Sequence, residues 1–531
     1  MRTQGRVLET SGVSRVIGIY GGPAHDQSVA YVENGVVKLA MEEERPTRIK
    51  HCSPPPAHTP WMGLDWLSHE GYDFNNVDTV AFAEPLCNQS SHRDALVTME
   101  LPLWLEQRLA AREHHLCHAA LAWAWSGWDE CYALAIDGGG SMSYGLAAHC
   151  KNGVITEIAR DNMAQLHSIL NPGLWYLLST IALGYKPLHD EGKVQALACS
   201  GNPNRYTALI RERLTIKPFY VEDPRLPGAT RKDGTWHPSR EMLQQLIGID
   251  PQESSVKADV AAAVQTIFEE MIMTDVEAYI PRGCRLVLSG GCFCNVTINR
   301  KLLDWASEVF AASAMTDGGM AAGAGLLTGP IRPYRVDHVY LGYDAGPIPA
   351  GTDPARLARM IADGACVGLC YGRCEYGPRA LGNRSILCDP TKSDTAAKVN
   401  AKLHRNSVMP FAPVILDTDA DEVLEPAWRR ASHSAEHMTM AFKVNEGWRE
   451  KIPAVVHVDG TCRPQVLRES VSPFYYAILR EFKKITGIGV LLNTSFNLHE
   501  TPIIMSEADA MDVFDKGGVD VLVSTSGLKG R

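Results

Sequence analysis

The sequence has no apolar run approaching the roughly 18 residues that a membrane-spanning helix needs. The opening MRTQGRVLETSGVSR also lacks the apolar core of a signal peptide. The sequence also lacks a stripe of basic residues, and its formal net charge is −10. Both features argue against nucleic acid as the main partner. We therefore expect a cytoplasmic protein that acts on neither membranes nor nucleic acid.

Paired CxxC motifs, which build zinc knuckles, are absent although the chain has 14 cysteines. In a reducing compartment these cysteines are expected to be mostly buried thiols. Two groups have spacings that could bind a metal, but core packing is the interpretation we prefer for both. They are Cys292 with Cys294, and Cys366 with Cys370 and Cys374.

The 531 residues exceed what one hydrophobic core accommodates, so two or three domains are expected. Apolar residues make up 45% and charged residues 21%, as in ordinary globular proteins. Prolines and glycines cluster between Pro330 and Pro354, which indicates a domain boundary. We predict an N-terminal domain over residues 15–345 and a C-terminal domain over residues 350–531.

The run HHLCHAALAWAW predicts a helix that carries a metal-binding pair. His114 and His118 are four residues apart, so both imidazoles project from one helix face. The strand YALAID ends at Asp137, and Asp317 opens the small-residue helix of TDGGMAAGAGLL. Mixed nitrogen and oxygen ligands suit iron(II), manganese or magnesium. The alternative, that the histidines are ordinary helix residues, would fit an isolated HxxxH.

The first segment predicts a strand, a turn, a second strand, a tight Asn34-Gly35 hairpin and a third strand. His25 and Asp26 fall at the first turn. His25 is either a general base with a pKa near neutrality, held by a neighbouring carboxylate, or a turn former like Asp26. The cluster EEERPTRIKH, from Glu42 to His51, is either a solvated charged face or part of a substrate and phosphate pocket.

Glycine-rich strand ends occur twice and predict a nucleotide-binding fold of two ribonuclease-H-like lobes, as in actin, sugar kinases and Hsp70. Glycines let the backbone approach a phosphate closely. A GK dipeptide lies between the two glycine-rich strand ends. Residues 200–255 contain no motif that indicates a catalytic or binding site. The candidate nucleotide-binding residues are Gly138, Gly139, Lys193, Gly290, Gly291 and Asn295.

Beyond the predicted boundary, arginines and polar side chains concentrate in a domain of modest size. Guanidinium groups bind phosphate and carboxylate in a bidentate manner, so the pattern predicts a site for carbamoyl, phosphate and adenine groups. Singly, the serine and asparagines could be helix caps. The candidates are Arg373, Arg379, Arg384, Lys402, Arg405, Arg463, Asn493, Ser495 and Asn497.

The chain resembles the O-carbamoyltransferase family over nearly its whole length. The motifs that carry the resemblance are HDQSVA, EEERPTRIK, HHLCHAA, IDGGG, DEGKVQALA, LSGGCFCN, GPRALGNRSIL, HVDGTCRPQ and LLNTSFN. The resemblance implies an N-terminal domain similar to the tRNA-threonylcarbamoylation protein Kae1 and an α+β C-terminal domain similar to YrdC. It also implies that ATP and carbamoyl phosphate form carbamoyladenylate in the second domain, and that a substrate hydroxyl accepts the carbamoyl group in the first.

Position by position, the resemblance makes His114, His118, Asp137 and Asp317 the metal ligands, with iron(II) as the expected metal and magnesium as a companion of ATP. It places His25 near the acceptor hydroxyl and Lys50 in the adenylate pocket. Arg384, Arg463 and Ser495 match groups that hold carbamoyl phosphate and the adenylate, with Arg379 and Asn497 adjacent. The segment VMPFAP departs from the usual FRPFAP, which leaves the roles of Lys402 and Arg405 open.

The expected function is ATP-dependent carbamoylation of a hydroxyl-bearing small natural product in secondary metabolism, with AMP released. The acceptor pocket is expected near His25 and residues 200–255. A tRNA threonylcarbamoyl enzyme is an alternative that the acidic charge disfavours. A non-catalytic ATP-binding regulator is another, disfavoured by the complete set of polar anchors. The acceptor and the oligomeric state, including a homodimer, stay open.

Overall fold

A computed structural model describes residues 14–21, 25–52, 59–83, 100–140, 143–161, 169–222, 243–244, 247–405 and 410–531. The first lobe contains β1 (Arg15–Tyr20), β2 (Ser28–Glu33), β3 (Val36–Glu42), α1 (Glu44–Thr47), α2 (Trp61–His69), β4 (Thr79–Ala83) and β5 (Leu109–Arg112). Its sheet order is β3-β2-β1-β4-β5, with β1 to β3 antiparallel and β4 and β5 parallel to β1. The predicted hairpin is confirmed, because Asn34 and Gly35 both have positive φ, 53° and 77°.

The second lobe repeats this arrangement. It contains α3 (His114–Ser126), β6 (Glu130–Gly140), β7 (Ser143–Lys151), β8 (Val154–Arg160), α7 (Lys257–Tyr279), β12 (Arg285–Ser289), α8 (Val296–Lys301), β13 (Glu308–Ala311) and α9 (Met320–Leu326). Between β8 and α7 lie β9 (Ile169–Leu170), α4 (Pro172–Ala182), α5 (Glu191–Ala198), α6 (Thr207–Arg211), β10 (Thr215–Lys217) and β11 (Tyr220–Glu222). The sheet order β13-β12-β6-β7-β8 matches that of the first lobe, so the predicted pair of ribonuclease-H-like lobes is confirmed.

One local prediction is wrong. The sequence predicts that the strand YALAID ends at Asp137, but β6 continues through Gly140, with an irregular pairing to β7 after Ile136. The glycines therefore lie at the carboxyl end of β6.

Helices α3 and α9 pack together between the two sheets. Their contact needs small residues, because a Cβ atom on Gly323 would lie 2.1 Å from the carbonyl oxygen of Cys117. Trp123 and Trp125 of α3 are fully buried beside the alanines of α9 and the first sheet. This close packing fixes the histidine end of α3 relative to Asp317, which directly precedes α9.

The C-terminal domain is built on a seven-stranded mixed sheet of order β21-β18-β22-β17-β15-β23-β24. Its strands are β15 (Val367–Cys370), β17 (Arg384–Cys388), β18 (Ala412–Leu416), β21 (Gln465–Leu467), β22 (Val490–Ser495), β23 (Val521–Ser524) and β24 (Gly527–Gly530). Smaller strands are β14 (Tyr340–Asp344), β16 (Arg373–Glu375), β19 (Phe442–Lys443) and β20 (Thr461–Cys462). The helices are α10 (Pro354–Ala362), α11 (Thr395–Lys402), α12 (Ala420–Val423), α13 (Ser432–Glu436), α14 (Glu446–Arg449), α15 (Pro473–Thr486) and α16 (Glu507–Asp515).

The two parts of the chain share a continuous core and several polar contacts. The second lobe and one face of the seven-stranded sheet belong to one buried apolar cluster. Strand β14, which the predicted boundary assigns to the N-terminal domain, pairs with β16 of the C-terminal sheet region. Arg300 donates two hydrogen bonds of 2.9 Å to Glu425, and Arg373 pairs with Glu70 at 2.7 Å.

The described cysteines are free thiols, and ten of the thirteen are buried, as expected. Within the ranges given above, no helix has the length and apolar character to span a membrane. The likeness of the C-terminal domain to YrdC stays a prediction.

Candidate functional site

The two predicted metal-binding histidines lie on one face of α3. Glu113 caps this helix, because its carboxylate accepts hydrogen bonds from the backbone N–H groups of His115 (3.1 Å) and Leu116 (2.8 Å). Residues four apart on a helix project in the same direction. His114 and His118 are each 1% exposed, so both imidazoles enter the interior between the lobes.

Asp137 from β6 and Asp317 from the turn before α9 meet these imidazoles. Nε2 of His114 lies 2.8 Å from Oδ2 of Asp137 and 3.6 Å from Oδ1 of Asp317. Nε2 of His118 lies 3.3 Å and 3.4 Å from the same two oxygens. The structure thus brings all four predicted ligands together, with one ligand atom from each within 4.8 Å of the others.

This geometry fits a divalent cation. Two atoms that each lie about 2.1 Å from one ion are about 3.0–3.5 Å apart, which matches the contacts of His118. His118 Nε2 is buried and makes no hydrogen bond of good geometry to any described residue, although it faces two carboxylates. Its Nδ1 lies 3.2 Å from the Ser289 hydroxyl, a contact that orients the ring as ligand histidines require.

Sequence reasoning missed two residues that support this cluster. The Tyr20 hydroxyl donates a 2.6 Å hydrogen bond to Oδ2 of Asp317. His115 is fully buried, with Nε2 3.3 Å from Oδ1 of Asp137 and Nδ1 3.4 Å from Glu113. Burial disfavours its charged form, but these carboxylates raise the pKa of His115 to about 10. His115 is the second residue of the HH dipeptide, but helical periodicity assigns it to a different face of the helix from His114 and His118.

His25 and Asp26 form a chain of side chains with His51. Nδ1 of His25 lies 3.3 Å from one oxygen of Asp26, and Nδ1 of His51 lies 2.9 Å from the other. Asp26 has a φ of 58°, and its N–H donates to the His51 carbonyl at 2.7 Å. The expected neighbouring carboxylate is therefore present. His51 was treated only as part of a charged cluster, and its contact with Asp26 has no local sequence signal.

The pKa of His25 differs from the expected near-neutral value. Burial disfavours the imidazolium, but the Asp26 hydrogen bond and the charges of Asp26, Asp317 and Asp137 raise the pKa to about 9. A cation bound to Asp137 and Asp317 would cancel part of that negative charge and lower the pKa of His25. The charges of the metal cluster therefore influence the protonation of His25.

Backbone glycines lie beside the metal cluster as predicted. The N–H of Gly139 donates to Oδ1 of Asp137 at 2.7 Å, and a Cβ on Gly138 would meet no atom within 4 Å. Gly290 has a φ of 98°, and a Cβ there would lie 2.3 Å from the Ile136 carbonyl oxygen. A Cβ on Gly291 would lie 4.0 Å from that of Asp137. The backbone therefore stays open next to the ligands.

The other two nucleotide-binding candidates have partners within the protein. Asn295 caps α8 by accepting from the Ile298 N–H at 3.2 Å, and its amide donates to Gln265 at 2.8 Å. Lys193 pairs with Asp190 at 2.8 Å. Asn295 therefore has a structural role, and we leave it out of the proposed nucleotide site.

In the C-terminal domain, Arg405 meets Ser495 and Asn497 at the end of β22. Its guanidinium donates to the hydroxyls of Thr494 (2.9 Å) and Ser495 (3.2 Å) and to the Asn497 carbonyl oxygen (3.2 Å). No carboxylate of the described residues pairs with it, and burial alone lowers its pKa to about 10. A partly buried cation without an acid partner is suited to bind an anion.

Arg379 and Arg463 form a second cationic pair. Neither makes an ion pair or a side-chain hydrogen bond to any residue that the structure describes. Burial and the neighbouring charge of Arg379 lower the pKa of Arg463. Burial raises the pKa of the Cys294 thiol in the second lobe to about 11, and the charges of Arg379 and Arg463 oppose this rise. The pair therefore acts electrostatically on the N-terminal domain.

Arg384 and Lys402 do not have the predicted geometry. Arg384 is fully buried and donates hydrogen bonds to the carbonyl oxygens of Met505, Tyr371, Asn383, Tyr343 and Gly372. All its N–H groups are used within the protein, so we leave Arg384 out of the proposed carbamoyl phosphate site. Lys402 pairs with Asp520 at 2.7 Å, so its charge is already balanced.

The cluster from Glu42 to His51 is not a solvated face. Arg45 is 1% exposed and donates to the Gly377 carbonyl at 2.8 Å, while the Gly377 N–H donates to Glu42 at 2.6 Å. Lys50 lies beside Glu44, Asp190 and Lys193, and burial lowers its pKa. The pKa of His499 is lowered by burial and by the charges of Lys193, Arg405 and Lys50, so cations of both domains act on this imidazole. Of the expected acceptor region, residues 223–242 and 245–246 lie outside the described residues.

Comparison with known proteins identifies the family. The models named "Carbamoyltransferase N-terminus" and "Carbamoyltransferase C-terminus" match residues 95–326 and 358–528. The nodulation protein NolNO of Sinorhizobium fredii is 32% identical over 95% of this chain and 78% of its own length. The 3'-hydroxymethylcephem-O-carbamoyltransferase of Streptomyces clavuligerus is 31% identical over 61% of this chain and 62% of its own. The chain therefore belongs to the carbamoyltransferase family.

Solved structures are more distant. The activator of the 2-hydroxyisocaproyl-CoA dehydratase from Clostridium difficile, with bound ADPNP, covers 59% of this chain and 93% of its own. Its identity is 10% and its TM-score 0.33, values too low to support a conclusion about this chain. The strand orders described above define the two lobes independently of this likeness.

Proposed function

We propose that this carbamoyltransferase uses ATP and carbamoyl phosphate to carbamoylate a hydroxyl group of a small natural product. The C-terminal domain forms carbamoyladenylate, and the N-terminal domain transfers the carbamoyl group and releases AMP. The name of the cephem relative supports an acceptor of the hydroxyl-bearing small-molecule class. The observation that carries the proposal is that the protein holds two complementary sites: a ligand cluster that lacks a cation, between the lobes, and arginines without acid partners among the described residues, in the C-terminal domain.

The first step uses Arg405 and Ser495 together with the pair of Arg379 and Arg463. Carbamoyl phosphate, ATP and water give carbamoyladenylate, phosphate and pyrophosphate. The guanidinium groups neutralise the negative charge of the phosphates, typically worth about 3 kcal/mol for one well-placed donor. They are available because no acid of the described residues pairs with them. Asn497 supports the site by accepting hydrogen bonds from Arg405 and the Ser495 hydroxyl.

The second step takes place beside His25. The acceptor hydroxyl attacks the carbamoyl carbonyl, its proton passes to His25, and AMP leaves as the C–O bond to the phosphate breaks. Asp26 holds His25 and is itself held by His51, which fixes the direction of the ring. His25 must be neutral to accept this proton, so a lowered pKa in the loaded enzyme favours the step.

His114, His118, Asp137 and Asp317 are the residues that would hold a divalent metal, with iron(II) our expected ion. When bound, the metal supplies Lewis-acid polarisation and positive charge beside phosphate. The open backbone at Gly138 and Gly291 leaves room for the phosphate. The positive charge of Lys50 would retain the adenylate during its passage between the two sites, assisted by Lys193, which shares its charge with Asp190 at 2.8 Å.

The direct test separates the two steps. The purified protein, loaded with iron(II), is given ATP and carbamoyl phosphate, and pyrophosphate release is measured with and without a panel of hydroxylated natural products. We expect carbamoyl-phosphate-dependent pyrophosphate release without an acceptor, and a carbamoylated product with the right one. Absence of pyrophosphate release under these conditions contradicts the adenylation step and favours the ATP-binding regulator.

A further inference from the structure

A second group of metal-ligand side chains lies outside the site described above. Cys199 directly follows α5 of the second lobe, whereas His457 and Asp459 lie in the turn before β20 of the C-terminal domain. The three residues offer one ligand atom each within 4.8 Å of one another. The group therefore joins the two domains at a point that the proposed carbamoyl transfer does not use.

The ligand types favour zinc. A thiolate, an imidazole and a carboxylate are the three ligand classes of protein zinc sites, and a thiolate disfavours magnesium and calcium. Nδ1 of His457 lies 3.4 Å from Oδ1 of Asp459. Two light atoms at about 2.0–2.1 Å from a tetrahedral ion are about 3.4 Å apart, so this separation fits a shared ion.

The C-terminal ligands are held in place by neighbouring groups. Oδ1 of Asp459 accepts hydrogen bonds from the Thr461 N–H (2.9 Å) and hydroxyl (2.6 Å). The backbone N–H of His457 donates to the Thr461 carbonyl at 2.7 Å. Such supporting bonds orient first-shell ligands in metal sites. The Asp459 side chain remains one-third exposed, so the group can be reached from solvent.

The charge of the group is also suited to a cation. Among the described residues, the ion pair of Asp459 is with His457, and no lysine or arginine lies within ion-pair distance of its carboxylate. A metal ion would displace the thiol proton of Cys199 and bind all three groups.

From this geometry we propose that Cys199, His457 and Asp459 bind a zinc ion that ties the second lobe to the C-terminal domain. The ion would fix the HVDGTCR segment, in which Arg463 lies four positions after Asp459. The inference does not depend on the proposed carbamoyl transfer.

Cobalt(II) substitution tests the site in the full-length protein. The reduced, metal-free protein is titrated anaerobically with Co²⁺, and the near-ultraviolet band of a sulfur–cobalt bond is recorded. We expect this band in the wild type and in His114→Ala, whose own metal cluster contains no cysteine. Cys199→Ser should abolish the band, whereas Cys284→Ser, another half-buried cysteine of the same lobe, should retain it.

Competition with Zn²⁺ gives the second measurement. We expect the wild type to bind two equivalents of Zn²⁺, and Cys199→Ser and His114→Ala to bind one each. Thr461→Val should weaken the second site by about 10- to 100-fold because it removes a supporting hydrogen bond. Asp459→Asn replaces Cys199→Ser if the latter does not fold. Absence of the cobalt band in the wild type, or its persistence in Cys199→Ser, overturns the proposal.

Discussion

The metal cluster of the N-terminal domain and the arginine cluster of the C-terminal domain lack charges of opposite sign. Between the lobes, Asp137 and Asp317 face each other across two buried imidazoles, so the cluster attracts a cation. In the C-terminal domain, Arg379, Arg405 and Arg463 have no acid partner among the described residues, so that cluster attracts an anion. A ligand-binding site is therefore recognised by charged side chains that lack a partner of opposite charge, and not by the number of charged residues.

Arg384 and Arg405 make the same point within one domain. Both were anion-binding candidates, and both are largely buried. Arg384 donates to five backbone carbonyl oxygens, whereas Arg405 donates to hydroxyl and amide oxygens at the end of β22. Only the second arrangement leaves the cation accessible to a ligand, so the two residues should respond differently to substitution.

The largest expected effect is on folding. Arg384→Ala leaves several buried carbonyl groups without donors, each at a cost of about 1–3 kcal/mol. We expect a loss of at least about 4 kcal/mol in the free energy of unfolding, measured by chemical denaturation. Arg405→Ala is the matched control and should change this free energy much less. A fully stable Arg384→Ala protein that has lost only carbamoyl phosphate binding would contradict the structural role.

The metal cluster could be predicted from the sequence because its signals are local. Helical spacing places His114 and His118 on one face. Asp137 lies at a predicted strand end, and Asp317 lies at the turn that opens a predicted helix. Tyr20 and His51 could not be predicted in this way. Their contacts with Asp317 and Asp26 join residues from separate elements, and each depends on how these elements pack.

The paired lobes could also be predicted, because the hairpin at Asn34-Gly35 and the glycine-rich strand ends are encoded locally. The role of each arginine could not be predicted from the sequence. Whether a guanidinium meets carbonyl groups or faces a ligand depends on distant loops, such as the segment around Met505 that receives Arg384. The same limit applies to Arg45, whose carbonyl partner Gly377 is 332 residues away.

His114→Ala should empty the metal cluster and reduce carbamoyl transfer by about a thousandfold, while pyrophosphate release persists. Metal content by mass spectrometry and product formation are the two measurements. His115→Gln is the graded control, because His115 contacts Asp137 from outside the cluster and should weaken metal binding only about 10- to 100-fold. Full transfer by a metal-depleted His114→Ala protein would refute the assignment.

His25→Ala should reduce transfer by about 10²- to 10⁴-fold and spare pyrophosphate release, because the proton acceptor acts only in the second step. Asp26→Asn removes the carboxylate that raises the pKa of His25, so that pKa falls. The rising limb of the transfer pH profile should then shift to lower pH than in the wild type. Equal loss of both steps in His25→Ala would contradict the assigned role.

Arg463→Ala should reduce carbamoyl-phosphate-dependent pyrophosphate release by about 10²- to 10³-fold. Its metal content should stay at the wild-type level, because Arg463 makes no contact with the four ligands of the metal cluster. His114→Ala is expected to give the opposite result, with the metal lost and pyrophosphate release retained. Loss of bound metal in Arg463→Ala would show that the two clusters do not act separately.

The smallest effect is expected for Lys402→Ala. Asp520 neutralises this ammonium group at 2.7 Å, and both side chains are about one-third exposed, so the ion pair contributes at most about 1 kcal/mol. Pyrophosphate release should therefore change less than about threefold, against a loss of about a hundredfold for Arg405→Ala. Lys402 and Arg405 are cations of the same segment. Comparing the two variants therefore tests whether an acid partner decides if a cation contributes to pyrophosphate release. A loss in Lys402→Ala as large as that in Arg405→Ala would mean that Asp520 releases the lysine to the substrate, and the pairing would then be a state of the ligand-free protein.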